Sequence, residues 1–356
     1  MARLQVSPML LWSISHLSPS MLDAKANTGK HNRNSSKSTS KAMQEDRRMR
    51  RQRQLAHIEI PENYVTMTDE LLGKGAFGAV YIADFNGRNA AAKVFLIDHN
   101  LGILGGGDED IITWEHESST AVVKQHRTKR KEFLRELEAM VRLRSHFTVN
   151  VYGAITSRED RLVLVMELLA GGDLGTFLKN ADHPLPERHA RRIVGDVCAG
   201  KAFLHGKATV HADIKSANVL LDGSGRTKIG DFGASKWLQH RQSTGLATYE
   251  TVTGTGMRMT FAWAAPEVLE SGDASYASDV FSFGMVVWAI LTRALPWENE
   301  SFGRDVYRRD VIKRERPDIP VSTPTDMAHV ISSCWAHEPG ERPTSTRLLE
   351  GMNSCI

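Results

Sequence analysis

Between His211 and Gly233 the chain reads HADIKSANVLLDGSGRTKIGDFG, and Asp213, Asn218 and Asp231 stand out in it as oxygen-bearing side chains at close spacing. Val219-Leu220-Leu221 and Thr227-Lys228-Ile229 are short β-prone runs. Asp222-Gly223-Ser224-Gly225 supplies turn residues between them, so the pattern predicts a hairpin. Folded that way, the hairpin brings Asn218 and Asp231 side by side. Two oxygen side chains converging from adjacent loops suit a Mg²⁺ ion that also holds substrate phosphates. Asp213 is left to take a proton from an incoming hydroxyl.

A second constellation lies upstream. Leu71-Leu72 leads into Gly73-Lys74-Gly75-Ala76-Phe77-Gly78-Ala79-Val80, a G-x-G-x-x-G-x-V pattern. Glycines at this spacing let backbone N–H groups approach phosphates closely. A dinucleotide-binding turn shares the first six positions but would open a helix. Here both flanks read as strands, and the next strand, Ala90-Ala91-Ala92-Lys93-Val94-Phe95, carries a lysine. Lys131 to Arg144 has Phe133, Leu134, Leu137, Met140, Val141 and Leu143 at helical spacing. Glu136 and Glu138 lie on that predicted helix, and Glu138 reads as solvent-facing.

These elements sit in a chain of 356 residues with 41% hydrophobic and 24% charged residues, ordinary for a globular protein. The net charge is only +3, with most of the basic excess in roughly the first 55 residues. That argues against nucleic acid as a partner of the folded part. Cys198, Cys334 and Cys355 form neither a metal-ligand pair nor a disulfide framework. This fits a reducing, cytoplasmic compartment. Val280 to Thr292 is the longest strongly apolar run and is too short to span a bilayer, so it is expected to be a buried core helix and no transmembrane segment is expected. Residues 1–57 read as a basic, Ser/Asn-rich disordered tail. Its run Arg47, Arg48, Arg50, Arg51 and Arg53 suits acidic lipid, nucleic acid or a nuclear import receptor, or is simply a solvated basic helix. An organelle transit peptide is the weaker alternative, because Arg3 is the only Lys or Arg among the first 22 residues.

The order of motifs resembles the protein kinase family, and within it the tyrosine-kinase-like group of serine/threonine kinases. The resemblance rests on the glycine loop, Lys93, Glu136 in Phe-Leu-Arg-Glu-Leu, Asp213 to Asn218, and Asp231-Phe232-Gly233. It continues through Trp263, Ala265-Pro266-Glu267, Asp279, Pro296-Trp297 and Glu341-Arg342-Pro343. It implies an α+β, bilobal fold: a small, mainly β N-lobe with one key helix at about 64–166 and a larger, mainly α C-lobe at about 170–352. The family's link between the lysine strand and the first helix is short, so residues about 96–130 read as an inserted loop.

The resemblance also implies roles. ATP would lie against Leu72, Gly73, Lys74, Gly75, Ala76, Phe77, Gly78, Val80, Ala91, Lys93, Met166, Glu167, Leu169 and Leu220, with backbone groups from Glu167 to Leu169 meeting the adenine. Lys93, held by Glu136, would pair with the phosphates. Asn218 and Asp231 would hold Mg²⁺, with Mn²⁺ as a substitute. Asp213 would orient the substrate hydroxyl and accept its proton, and Lys215 would balance charge on the transferred group. Lys215 is also the family's mark of serine/threonine specificity. The activation segment would run from Asp231, Phe232 and Gly233 through Thr260 to Ala265, Pro266 and Glu267. Glu267 would pair with Arg342, and Asp279 would tie back to the catalytic-loop backbone.

Two other readings compete. A pseudokinase scaffold usually loses one of the lysine, catalytic Asp or metal Asp, yet Lys93, Asp213, Asn218 and Asp231 are all present. A tyrosine-specific kinase is opposed by Lys215. One departure stands out: Ala212 occupies the position before the catalytic Asp where the family usually has Arg. Protein substrates are the expected partners, and nothing in the sequence bears on oligomeric state.

Overall fold

The computed structural model describes residues 57–75, 78–97, 119–158, 160–180, 185–237, 261–297, 307, 309 and 312–353. Ala76, Phe77, Thr260, the basic tail to 56 and most of the expected insertion lie outside these residues.

The N-terminal part is a five-stranded antiparallel sheet. β1 (Val65–Gly75), β2 (Gly78–Phe85), β3 (Arg88–Leu96), β4 (Val151–Ile155) and β5 (Arg161–Glu167) are ordered β1-β2-β3-β5-β4. Strand alternation divides β3 between two apolar layers. Ala90, Ala92 and Val94 pack with Ile60, Val65, Val163 and Val165 on one face. Ala91 and Phe95 pack with Phe133, Leu137 and Met140 on the other. Lys93 shares this second face, so a cation is carried into an apolar layer by the β3 register itself. Val80 lies directly across from Lys93, and Met166 directly across from Ala91.

The helix against that face, α1, runs from Ser119 to Arg142. Residues 119–130 were expected within an inserted loop and are instead the opening turns of this helix. The sequence hid this because Lys124, Arg127, Lys129, Arg130 and Lys131 obscure the apolar period there. Lys129 caps the end of the preceding strand by donating from Nζ to Leu96 O at 2.9 Å. The apolar stripe further along behaves as expected: Phe133, Leu137, Met140 and Leu143 are buried, and Phe133 meets Phe95 edge-on at 5.3 Å. Glu138 is half-buried rather than solvent-facing.

Past β5, the pair β6 (Gly172–Asp173) leads into α2 (Leu174–Asn180) and the long α3 (Glu187–Gly206). β7 (Thr209–Val210), the hairpin β8 (Val219–Leu221) and β9 (Thr227–Ile229), and β10 (Lys236–Trp237) follow. The helices α4 (Pro266–Ser271), α5 (Tyr276–Thr292), α6 (Thr325–Cys334) and α7 (Ser345–Asn353) complete the C-terminal part. Its centre is α5, buried at every position from Ser278 to Ile290. A helix apolar all round must be a core helix or a membrane span. Here it is enclosed by Leu174, Ile193, Val197, Met327 and Ile331, among others. A reciprocal capping box between Ser275 and Ser278 fixes its start. No helix among the described residues is long and apolar enough to cross a membrane.

Candidate active site

Two parts of the chain build the site. From the sheet, β1 and β2 meet at a glycine turn whose closing residue, Gly78, has φ +150°. A Cβ there would lie 2.2 Å from Val94 O, so only glycine closes the turn over β3. Beneath it Lys93 Nζ donates to Glu136 Oε1 and Oε2 at 2.7 and 2.9 Å, and to Asp231 Oδ1 at 3.1 Å. These contacts join residues 43 and 138 positions apart. Glu136, not Glu138, is thus the lysine's partner on α1. Burial works against the Lys93 charge, but the two carboxylates overcome it and hold the ammonium above its ordinary value. Burial also pushes Glu136 up to about 7, against the pull of Lys93. At Asp231 burial is again opposed by Lys93, and there the lysine prevails, leaving the carboxyl below its ordinary value.

The C-terminal part supplies the loop from His211 to Asn218. Ile229 and Val219 pair across the hairpin, and Gly230 N–H donates to Asn218 O at 2.9 Å. This places Asp231 beside Asn218, as the turn chemistry implied. Asp231 itself adopts a left-handed conformation, with φ 56° and ψ 78°, and accepts from Gly233 N–H. Asn218 Nδ2 donates to Asp213 O and Oδ2 at 2.8 and 3.0 Å, and Lys215 Nζ donates to Asp213 Oδ2 at 2.7 Å. Asp213 Oδ1 is buried and accepts no hydrogen bond among the described residues. A buried carboxylate oxygen without a partner calls for an explanation, and a donor brought by a bound substrate would supply one.

The loop is held from below. Asp279, at the first turn of α5, accepts from His211 N–H at 2.8 Å and from Ala212 N–H at 2.9 Å. Ala212 has φ 63°, a conformation that costs a non-glycine residue on the order of 1–3 kcal/mol unless its surroundings enforce it. His211, fully buried, points Nε2 at Gly230 O (3.0 Å), and its Nδ1 receives Asp213 N–H (3.3 Å). Its ring also lies 5.3 Å from that of Phe232. Glu267 and Arg342 form a two-pronged pair at 2.7 and 2.8 Å, with the arginine side chain fully buried.

An apolar floor lies beside these charges. Ala91, Met166 and Leu169 are buried in one cluster, against which Val80 and Leu220 pack. Leu72 is 47% exposed on β1. The Glu167 side chain has a role that was not foreseen: it accepts from Lys228 Nζ at 2.7 and 2.9 Å and from Asn150 N–H at 2.7 Å. His205 and His211 were also missed as site-supporting residues; a histidine in an apolar context was the only signal either offered.

The oxygen donors Asp231 and Asn218 suit a hard cation such as Mg²⁺. Among the described residues no group of three or more His, Cys, Asp or Glu side chains could hold a metal alone. A two-donor set of this kind fits an ion that completes its shell with phosphates and water.

Known proteins resemble this chain over most of its length. A family described as "Protein tyrosine and serine/threonine kinase" matches residues 107–352. Serine/threonine-protein kinase CTR1 of Arabidopsis thaliana is 31% identical over 291 residues, covering 81% of this chain and 31% of the relative. Serine/threonine-protein kinase STY46 of the same plant is 31% identical over 222 residues, covering 62% and 36%. The probable serine/threonine-protein kinase roco7 of Dictyostelium discoideum is 30% identical over 292 residues, covering 80% and 10%. The chain thus spans between 10% and 36% of the length of these relatives.

Proposed function

The chain belongs to the protein tyrosine and serine/threonine kinase family, and from that premise we propose that it transfers the terminal phosphoryl group of ATP to serine and threonine hydroxyls of protein substrates in signalling. The observation that carries the reading is the unpartnered Asp213 Oδ1, on the loop before the hairpin that leads to Asp231 in the Lys93–Glu136–Asp231 cluster.

The roles follow from the charges. Phosphoryl transfer asks little covalent chemistry of a protein, so positioning and charge neutralisation dominate. The adenine lies between Val80, Ala91 and Leu220, with Met166 behind it and Leu72 folding over it. Backbone N–H groups of Lys74 to Gly78 would cover the phosphates. Lys93 turns its ammonium to the phosphate oxygens while Glu136 keeps it in place. Asp231 and Asn218 would hold Mg²⁺, which when bound would offset charge on the phosphates. Asp213 Oδ1 receives the hydroxyl hydrogen of the acceptor. Lys215, already on Oδ2, steadies Asp213 and offsets charge on the moving group.

The acceptor preference rests on Lys215 and on relatives named as serine/threonine kinases. Cytoplasmic action fits the cysteine usage.

Asp213→Asn should reduce transfer to a generic basic protein or to the chain itself by a thousandfold or more. Nucleotide affinity should stay within about threefold, because the substitution removes only the proton acceptor. Phosphoamino-acid analysis of the wild-type reaction should return phosphoserine and phosphothreonine. Wild-type protein that binds ATP but transfers nothing would make the chain a scaffold, and predominant phosphotyrosine would overturn the acceptor assignment.

A further inference from the structure

A lysine where the fold has least room for one stands apart from the proposed site. Lys201, in the penultimate turn of α3, has no solvent exposure at all. Its Nζ donates to Ser345 Oγ at 2.7 Å and lies 5.0 Å from the centre of the Phe283 ring. Among the described residues no carboxylate forms an ion pair with it. The groups that face it are the Cys198 thiol from its own helix, the Cys334 thiol from α6, Ser345 from α7, and Phe283 and Asp279 from α5. Burial keeps both thiols in the protonated form, Cys334 being pushed up to about 12. They therefore contribute dipoles and no charge.

The lysine is the far end of a chain of donors. Ser345 Oγ lies 2.7 Å from His205 Nδ1, and His205 Nε2 lies 3.0 Å from Asp279 Oδ2. An ammonium can only donate, so Ser345 accepts from Lys201 and turns its own O–H to Nδ1. A carboxylate can only accept, so the ring proton belongs on Nε2. Asp279 thus selects the Nε2–H tautomer, and Lys201, by occupying a Ser345 lone pair, turns the hydroxyl hydrogen toward Nδ1 to match it. Asp279 then holds the His211 and Ala212 N–H groups, directly before Asp213. Lys201 and His205 are four positions apart on one helix and share a face, so the chain needs no flexible link.

We propose that Lys201 is a positioning residue for catalysis: through Ser345 it fixes the His205 tautomer, and through Asp279 it holds the strained backbone at Ala212 that aims Asp213. The inference rests on Asp213 being the proton acceptor. A buried cation with no directly paired carboxylate is an expensive way to fill a core, and burial holds this ammonium below its ordinary value. A methionine would pack there without that cost. The donor chain explains what the charge does in return: it polarises successive hydrogen bonds toward the one carboxylate that grips the catalytic loop.

The test uses the full chain, with Lys201→Met, Ser345→Ala, Ser345→Thr, the Lys201→Met/Ser345→Ala double variant and Asp213→Asn. Lys201→Met and Ser345→Ala should each lower kcat about tenfold with KM for ATP within twofold, and the double variant should be no worse than either alone. Ser345→Thr, which keeps the hydroxyl, should retain kcat. Thermal stability of Lys201→Met should be equal to or above wild type. In ¹⁵N-histidine spectra, His205 should show a single Nε2–H tautomer in wild type and lose it in Lys201→Met and Ser345→Ala. Unchanged kcat in both single variants, additive losses in the double variant, or a melting temperature that falls while kcat does not, would each reduce Lys201 to a packing residue. Ser345→Ala carries the test should Lys201→Met fail to fold. Asp213→Asn separates the two levels. Transfer that survives this substitution removes the assignment of Asp213, and the positioning role with it. A dead Asp213→Asn beside wild-type-like Lys201→Met and Ser345→Ala removes the positioning role alone.

Discussion

Lys93 and Lys201 are both buried, one in the sheet and one in the helical core, and their surroundings treat the charge in opposite ways. Lys93 meets two carboxylates, Glu136 and Asp231, and is held above the ordinary lysine value. Lys201 meets a hydroxyl, two thiols and a ring, with the Asp279 carboxylate near but not paired with it, and is held below it. Desolvation acts on both; what differs is whether a full opposite charge is within reach. The consequence concerns removal. Deleting Lys93 strands two acids that were built around it, whereas deleting Lys201 breaks no ion pair.

The largest expected effect follows from that asymmetry. Lys93→Met should abolish phosphoryl transfer, with a loss of more than about a thousandfold. It should also destabilise the fold, since breaking a buried pair from one side costs about 3–5 kcal/mol. Part of this cost is recovered if Glu136 takes a proton, which gives the effect a pH signature. Glu136 is raised from 4.5 to about 7 in the folded protein. Across that window the native state binds a proton that the unfolded chain has released, so stability falls as pH rises. Without Lys93 the carboxyl stays protonated to still higher pH and the decline extends beyond 7. The melting temperature of Lys93→Met should therefore drop further below wild type at pH 8 than at pH 5.5. A gap that does not widen with pH would mean that the two acids are not held by the lysine.

A third buried cation sharpens the rule. Arg342 is wholly enclosed, yet it has a carboxylate partner in Glu267 and carbonyl acceptors at Ala277, Ala336 and His337. It belongs with Lys93. Glu267→Gln should lower stability by about 2–4 kcal/mol, read by urea denaturation, because a neutral amide replaces the counter-ion. If Glu267→Gln and Lys201→Met shift stability in the same direction by the same amount, counter-ions do not distinguish these sites.

How much of this the sequence carried depends on what kind of interaction was at stake. Lys93 was legible because its neighbours are motifs: the glycine turn lies before it and Glu136 follows in a periodic helix. The hairpin was legible because its turn residues have only local work to do. Lys201 was not. On α3 the apolar positions read from sequence were Ile193, Val194, Val197, Ala202 and Phe203. In the fold Ala202 and Phe203 are half-buried, while Lys201 and Leu204 face the core. The helical spacing 193, 197, 201, 204 pointed inward all along, but a lysine's chemistry argues for the surface. Its acceptor in the core, Ser345, lies 144 positions away, beyond the reach of any local pattern. The opening turns of α1 were hidden for a related reason. Arg127, Thr128 and Arg130 are exposed there and Lys129 serves a strand end, and periodicity reads only the apolar side.

The Glu136 carboxyl offers a finer probe of the Lys93 cluster. With Glu136 at about 7, mild acid should protonate it and loosen its two-pronged hold on Lys93. One pH unit below that value, kcat/KM for ATP should fall roughly tenfold. Glu136→Gln should be slower at every pH but should lack this acid limb. An unchanged limb in Glu136→Gln would assign it to a different group.

The smallest expected effect concerns a cation that is missing. In family members with Arg before the catalytic Asp, its charge is often buried until a phosphate on the activation loop pairs with it. That arrangement would be Lys201-like without phosphate and Lys93-like with it. Here the position is Ala212, half-buried, with its N–H fixed on Asp279. There is no unpaired charge at 212 for a phosphate to relieve, and the loop is instead braced through its backbone. Phosphatase treatment should therefore change kcat by less than about tenfold, or roughly 1.4 kcal/mol in barrier. Replacing Ser243, Thr244, Thr248, Tyr249, Thr251, Thr253 and Thr255, which lie outside the described residues, with alanine or valine should do the same. Thr260→Ala, also outside them, should cost more if the family's contact from that position to Asp213 and Lys215 is kept. Steady-state kinetics on treated and untreated protein decide the matter. A hundredfold loss on dephosphorylation, reproduced by the substituted loop, would mean that another basic residue reads a phosphate and that Asp279 alone does not hold the catalytic loop in its working conformation.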